Sequence, residues 1–306
     1  MRRLSSLIVA MLAWSAAGCT SAPGPTPALT PVPGPRPFGA ITYPAPADQR
    51  LVHIATESLI RDCMRAKGHD YQPIPPADVT RSSAANPYAL LDPARARADG
   101  YGIVGEALNG SGGLPPNPNK DALAALDPKE RQAWEAALSG TPGHTRTVEI
   151  PGGAKLTFMT DGCGYTAQRT LRGDDWDRLW AHAEASTNEV ISRVTEAATV
   201  KGAVVEWSSC MTKAGHTYSD LQGPRGDIID RWQAATTSET RKTVAQYELR
   251  VARDDSRCEQ STKLAEVVQA AQDQAERELT TPELTATHAA LRAAWASATT
   301  QAATIA

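Results

Sequence analysis

Apolar residues recur every three or four positions along most of this chain, and that spacing predicts amphipathic helices. The pattern is clear in residues 51–67 and returns in residues 200–214. Gly68 and Gly215 directly follow these two stretches. A glycine is commonly found there because the residue after a helix often adopts a left-handed conformation. The sequence therefore predicts a mainly α fold.

Local signals place further helices along the chain. Asp92-Pro93 and Asp127-Pro128 each set an N-cap acid before a proline, and Gly140 stops the second of these helices. The other predicted elements are a short helix ending before Gly173, one long helix over residues 175–214 with Gly202 as its weak point, a chain reversal at residues 223–226, helix over residues 228–279 and a last helix from Pro282.

One segment has a different period. Around Pro151-Gly152-Gly153, polar and apolar residues alternate on both sides of the turn residues. Alternation with a period of two predicts strands, and the turn between them predicts a β-hairpin near residues 146–159.

A nine-residue motif occurs twice. CMRAKGHDY at residues 63–71 returns as CMTKAGHTY at residues 210–218, with the cysteine, methionine, glycine, histidine and tyrosine shared. In both copies the cysteine lies in the last turns of a predicted helix and the glycine stops that helix. We interpret the motif as a helix end that is fixed by a disulfide.

The N-terminus has the layout of an export signal. Arg2 and Arg3 precede an apolar stretch, and small residues follow that stretch. The tail of the signal, Ala16-Ala17-Gly18-Cys19, resembles the lipobox of bacterial lipoproteins. The resemblance implies that residues 1–18 are removed and that Cys19 becomes a lipidated, palmitate-bearing residue on the outer face of the cytoplasmic membrane. Cleavage after Ala17 without lipidation is the alternative, and it would give a secreted protein.

The number of cysteines bears on this choice. The chain has five cysteines, so lipid on Cys19 would leave four that can all pair. Without lipid, Cys19 would be a free thiol in an oxidising compartment. Four cysteines allow three connectivities, and their order along the chain favours Cys63 with Cys163 and Cys210 with Cys258.

Composition divides the mature chain. Residues 19–47 are rich in proline and carry one charge, which predicts an extended tether. Residues 48–173 form a predicted first cysteine module with helices and the hairpin. Residues 174–306 form a predicted second module of long helices.

The two Cys-Met-x-x-x-Gly copies, at residues 63–68 and 210–215, are each followed by an aromatic residue. In this respect the chain resembles exported lipoproteins of unknown function from high-GC Gram-positive bacteria. The resemblance implies disulfide-linked modules and no nameable activity.

Charge limits the classes of partner. Loss of Arg2 and Arg3 with the signal changes the net charge from −3 to −5. Nucleic acids and anionic membrane surfaces select basic proteins, so neither is an expected partner.

Candidate chemistry is sparse. His69 and His216 of the repeats could supply two nitrogen ligands to a metal, but two histidines alone do not make a site, so we expect no metal and no cofactor. Asp174, Asp175 and Asp177 could be read as an acid cluster, although acids are also favoured at a helix N-terminus. The sequence has no His-Glu-x-x-His, Cys-x-x-Cys, Gly-x-Ser-x-Gly or phosphate-loop motif.

These observations predict a membrane-anchored extracytoplasmic lipoprotein that acts as a non-enzymatic interaction or envelope-support module. Its expected partner is an envelope protein or a cell-wall component. The alternative hypothesis is a cell-wall-acting hydrolase or a binder of a small ligand or metal.

Overall fold

The computed structural model describes residues 34–42, 44–77, 86–108 and 115–305. Within these ranges the chain has twelve α-helices and one two-stranded sheet, which confirms the predicted mainly α fold. The helices are α1 Pro46–Ala66, α2 Pro93–Ala98, α3 Ile103–Leu108, α4 Lys120–Ala125, α5 Pro128–Ser139, α6 Cys163–Arg172, α7 Trp176–Glu196, α8 Ala198–Lys213, α9 Gly223–Ala234, α10 Ser238–Ser261, α11 Leu264–Leu279 and α12 Pro282–Ile305.

The predicted hairpin is confirmed. Strands β1 (Thr145–Glu149) and β2 (Lys155–Met159) pair antiparallel, with Glu149 opposite Lys155 at the turn. Gly152 and Gly153 both have positive φ, which residues with a side chain adopt only with strain.

The predicted long helix over residues 175–214 is wrong in one respect. The chain breaks at Ala197, which is extended (φ −60°, ψ 131°), whereas Gly202 lies inside α8. Val194 and Val200 are both buried in the same core on either side of the break. Six residues along one continuous helix would point these two side chains about 120° apart. The break lets both reach the core.

Two further elements differ from the sequence expectation. Residues 223–226 form the first turn of α9 rather than a loop, because the Asp220 carboxylate accepts the backbone N–H groups of Gln222 and Gly223. The predicted helix over residues 228–279 is interrupted twice. One break precedes α10, and the other lies at Lys263, which is left-handed (φ 53°).

Both copies of the repeated motif end their helices in the same way. Gly68 and Gly215 have φ values of 83° and 91°. His69 and His216 then donate their backbone N–H to the carbonyl of the methionine in their own copy, over 3.0 and 2.9 Å. This is the hydrogen bond of a Schellman motif. The glycine conformations and these hydrogen bonds confirm the interpretation of both copies as helix ends. The methionine side chains are fully buried in both copies.

The structure pairs the four cysteines as their order along the chain predicts. Cys63 of α1 bonds to Cys163, the first residue of α6, with a Cα–Cα distance of 5.7 Å. Cys210 of α8 bonds to Cys258 of α10, with a Cα–Cα distance of 5.6 Å. Each repeated helix end is therefore joined to a helix later in the chain.

Residues 86–108 pack against the C-terminal half of the chain. Tyr88, Leu91 and Tyr101 belong to the buried cluster that contains Trp207 and Val251, and α2 packs on α10. α1 in turn packs on both α6 and α12. The division into modules 48–173 and 174–306 stays a prediction, and these contacts cross its boundary.

Residues 34–42 are packed although they fall in the predicted tether 19–47. The backbone N–H of Phe38, in a 3-10 turn at Pro37–Gly39, donates to Glu276 over 2.8 Å, and Ile41 is buried beside Leu291. The proline-rich composition predicted a tether, and the two apolar residues Phe38 and Ile41 were not recognised as core residues. Helix α1 also begins within the predicted tether, at Pro46. Residues 19–33 are the remaining part of the predicted tether 19–47. These residues, together with signal 1–18, lie outside the described residues.

The glycine after α8 should be sensitive to substitution. Gly215→Ala places a side chain at φ 91° and should lower the free energy of unfolding by about 1–2 kcal/mol. The matched control is Gly202→Ala in the interior of α8, which should raise it by about 0.5–1 kcal/mol. Urea unfolding measures both values, and equal effects of the two substitutions would contradict the assignment of Gly215 as the helix stop.

Each disulfide should contribute strongly to stability. The two bonds close loops of 100 and 48 residues. Changing either cysteine pair to alanine in a Cys19→Ala background should lower the free energy of unfolding by about 4–5 kcal/mol, because the unfolded chain regains loop entropy. Denaturant titration against the Cys19→Ala parent is the measurement. A loss below about 1 kcal/mol for both pairs would argue against this role.

Candidate functional site

The structure places the two repeated histidines in different surroundings. His216 is buried, and its Nε2 lies 3.0 Å from Asp254 Oδ2. His69 is half-buried and lines a cleft of about 350 Å³ beside Asn119 and Trp134. Among the described residues, no three or more His, Cys, Asp or Glu side chains form a group that could hold a metal ion.

The repeated tyrosines fix the chain after each helix end. The Tyr71 hydroxyl donates to Glu57 over 2.8 Å, and the Tyr218 hydroxyl donates to Asp227 over 2.8 Å. Burial is the main cause that raises the pKa of both tyrosines. Both hydroxyls therefore stay protonated and act as hydrogen-bond donors. The tyrosine of the motif therefore serves structure in both copies, and His216 does so in the second copy.

The acids Asp174, Asp175 and Asp177 are engaged near the start of α7. Asp174 pairs with Arg169, Asp175 with Arg178, and Asp177 accepts the Tyr165 hydroxyl over 2.7 Å. Hydrogen bonding to Arg178 lowers the pKa of Asp175. The Asp174–Arg169 ion pair and the Tyr165–Asp177 hydrogen bond join α6 to the start of α7, whereas the Asp175–Arg178 pair is local to α7.

Three buried carboxylates on α10 escaped the sequence analysis. Glu248 accepts the backbone N–H groups of Ile103 and Val104, at the start of α3. Glu259 accepts a hydrogen bond from the Leu91 N–H, and Asp255 accepts one from a hydroxyl and one from an indole N–H. The donors to Asp255 are Tyr101 and Trp207, each at 2.7 Å. All three acids thus bind residues that pack on α10, and two of them hold backbone groups of residues 86–108.

These carboxylates have raised pKa values. Burial raises the pKa of Glu248 and of Asp255. Burial, followed by the charge of nearby Asp255, raises the pKa of Glu259 to about 9. Glu259 therefore carries a proton at neutral pH. Spacings of seven and four residues put the three acids on the same face of α10 as buried Val244 and Val251. Acids on an apolar helical face were the signal in the sequence.

One cleft, of about 620 Å³, lies between the hairpin turn, α7 and the α11–α12 junction. Several of its polar side chains are hydrogen-bonded within the protein. His182 Nε2 lies 2.9 Å from the Glu149 carbonyl, and Ser186 donates to a carbonyl of its own helix. Ser186 Oγ is 3.5 Å from His288 Nε2, whereas a nucleophile and its base are expected within 2.6–3.2 Å.

A second cavity, about 440 Å³, is mainly apolar and we name it the valine groove. It lies between α8, α11 and two loops. The lining includes Val200, Val204 and Val205 of α8, Val268 of α11, the loop Pro87-Tyr88-Ala89, and the loop 219–222. Its volume is within the range of small-molecule binding sites.

Comparison with protein-family models finds no match for this chain, and neither curated proteins nor solved structures match it. Among the described residues, no helix is both long enough and apolar enough to cross a membrane. The function is therefore inferred from the residues and geometry of the chain itself.

Glu259 should make stability depend on pH. Because its pKa rises on folding, it favours the folded state fully below about pH 4.5, and this contribution is lost as pH rises toward 9. Glu259→Gln keeps an oxygen that can accept the Leu91 N–H but cannot ionise. The variant should gain thermal stability over the wild type at pH 8, and the gain should be smaller at pH 5.

Thermal unfolding at both pH values measures this difference. Glu206→Gln, an exposed acid on α8, is the matched control and should follow the wild type at both pH values. A Glu259→Gln midpoint that differs from the wild type by the same amount at pH 5 and pH 8 would contradict the titration of Glu259.

Proposed function

We propose that this chain is a lipid-anchored protein on the outer face of the cytoplasmic membrane, where it acts as a non-enzymatic binding or envelope-support module. The cysteine pairing carries the proposal. Cys63, Cys163, Cys210 and Cys258 are all consumed in two disulfides, so Cys19 is the one cysteine left over. Because the residues around Cys19 resemble a lipobox, lipid attachment is the role that we propose for this cysteine.

The disulfides support the location. Structural disulfides persist in oxidising compartments and are rare in the cytosol. Both bonds join elements far apart in sequence and close loops of 100 and 48 residues. Such bonds suit a protein that has to stay folded outside the cell.

A binding role is favoured over catalysis by the state of the polar groups. The acids near α7, the buried acids of α10, His216 and the two repeated tyrosines are all engaged in contacts within the protein. The valine groove, in contrast, presents apolar side chains at the surface, and Val205 is 70% exposed. Exposed apolar surface of this kind commonly marks a site of interaction.

The anchor can be tested by fractionation of the producing cells. The wild type should fractionate with membranes and incorporate a clickable palmitate analogue, whereas Cys19→Ala should do neither. Thr20→Ala, which keeps the cysteine, is the matched control and should behave as the wild type. Equal membrane retention and equal label in wild type and Cys19→Ala would overturn the proposed anchor.

A further inference from the structure

The floor of the valine groove is built as a closed apolar surface. Val200, Val268, Tyr88 and Ala89 are all buried there. The Tyr88 hydroxyl donates to Gln272 Oε1 over 3.0 Å, so its polar end is occupied inside the protein. The floor therefore offers a ligand apolar contact.

The rim contributes few free polar groups. Lys201 Nζ lies 2.5 Å from Glu196 Oε2, and the Thr195 hydroxyl donates to carbonyls of its own helix. Asp220 accepts two backbone N–H groups at the start of α9, both over 2.9 Å. An extended peptide in this groove would leave backbone polar groups without partners, which is costly, but a hydrocarbon chain has none to satisfy.

The packed N-terminal segment enters the body beside this groove. Asn86 Nδ2 donates to the Pro35 carbonyl over 2.8 Å, and Asn86 directly precedes the groove loop 87–89. Cys19 is 15 residues before Gly34. A chain of that length spans at most about 50 Å, so a lipid on Cys19 would keep the groove close to the membrane surface.

We propose that the valine groove binds one hydrocarbon chain of a lipid from the membrane to which the protein is anchored. The source of the lipid rests on the proposed anchor, while the binding itself rests on the groove. A hydrocarbon chain carries no charge, so the acidic mature protein, with its net charge of −5, does not repel it.

The test uses purified, oxidised protein that carries Cys19→Ala, so that no anchor is present. The probe is cis-parinaric acid, an 18-carbon fatty acid that fluoresces when bound in an apolar site. We expect saturable binding of one probe per chain. Val205→Glu places a charge at the exposed rim of the groove and should weaken binding at least tenfold.

The matched control is Ile229→Glu, because Ile229 is also exposed (42%) but lies outside the groove. It should bind within twofold of the parent, and thermal unfolding confirms that both variants are folded. No saturable binding by the parent, or equal loss in the two variants, would overturn the proposal.

A second arm identifies the source of the chain. Phosphatidylcholine vesicles, which carry no net charge, should displace the probe if the groove accepts a chain from a membrane lipid. Displacement by free oleate but not by vesicles would overturn a membrane source. Since the protein used here has no anchor, failure of this binding and failure of membrane fractionation are separate results.

Discussion

The rest of the structure depends on two helix ends that are fixed both by a backbone hydrogen bond and by a disulfide. In each copy of the repeat, a left-handed glycine turns the chain, and the next N–H closes on the carbonyl of a buried methionine. The cysteine next to that methionine is bonded to a helix 100 or 48 residues further on. Helix length, chain direction and a long-range contact are thus set within one short motif. The two copies share the helix end but not the way in which the partner helix is joined. The first disulfide reaches the first residue of α6, whereas the second reaches α10 near its C-terminus.

The buried acids of α10 provide the second constraint, and they act on a segment with little regular structure. Residues 86–108 contain only two short helices, yet Glu248 and Glu259 accept their backbone N–H groups and Asp255 accepts the Tyr101 hydroxyl. A buried acceptor that lost these donors would be left unsatisfied at a cost of about 1–3 kcal/mol. The segment and the acids therefore require each other. This mutual requirement explains why acidic side chains are kept in a core where apolar side chains would otherwise suffice.

The sequence predicted most helices and the hairpin, because periodicity, caps and glycine stops are local signals. It also predicted the disulfide pairing, from the order of the cysteines along the chain. The sequence did not predict the helix break at Ala197, because no glycine or proline marks that position. The break is explained by the burial of both Val194 and Val200 in one core. Prediction from the sequence also missed the acids of α10, whose burial depends on donors about 150 residues away. The sequence did not reveal the valine groove either. Val205 stands off the apolar stripe of α8, so its exposure could be inferred, but the loops that complete the cavity come from distant parts of the chain.

The two constraints meet at the groove. Its loop 87–89 ends two residues before Leu91, whose N–H is held by Glu259, and Tyr88 is held by Gln272 of α11. Its opposite wall belongs to α8, which the disulfide at Cys210 joins to α10. Since Glu259 is also on α10, both walls are fixed to the same helix. A cavity with walls fixed in this way is already formed before a ligand arrives, and preformed sites lose less conformational entropy on binding. The bonds that stabilise the fold therefore also define the shape of the surface that we propose for ligand binding.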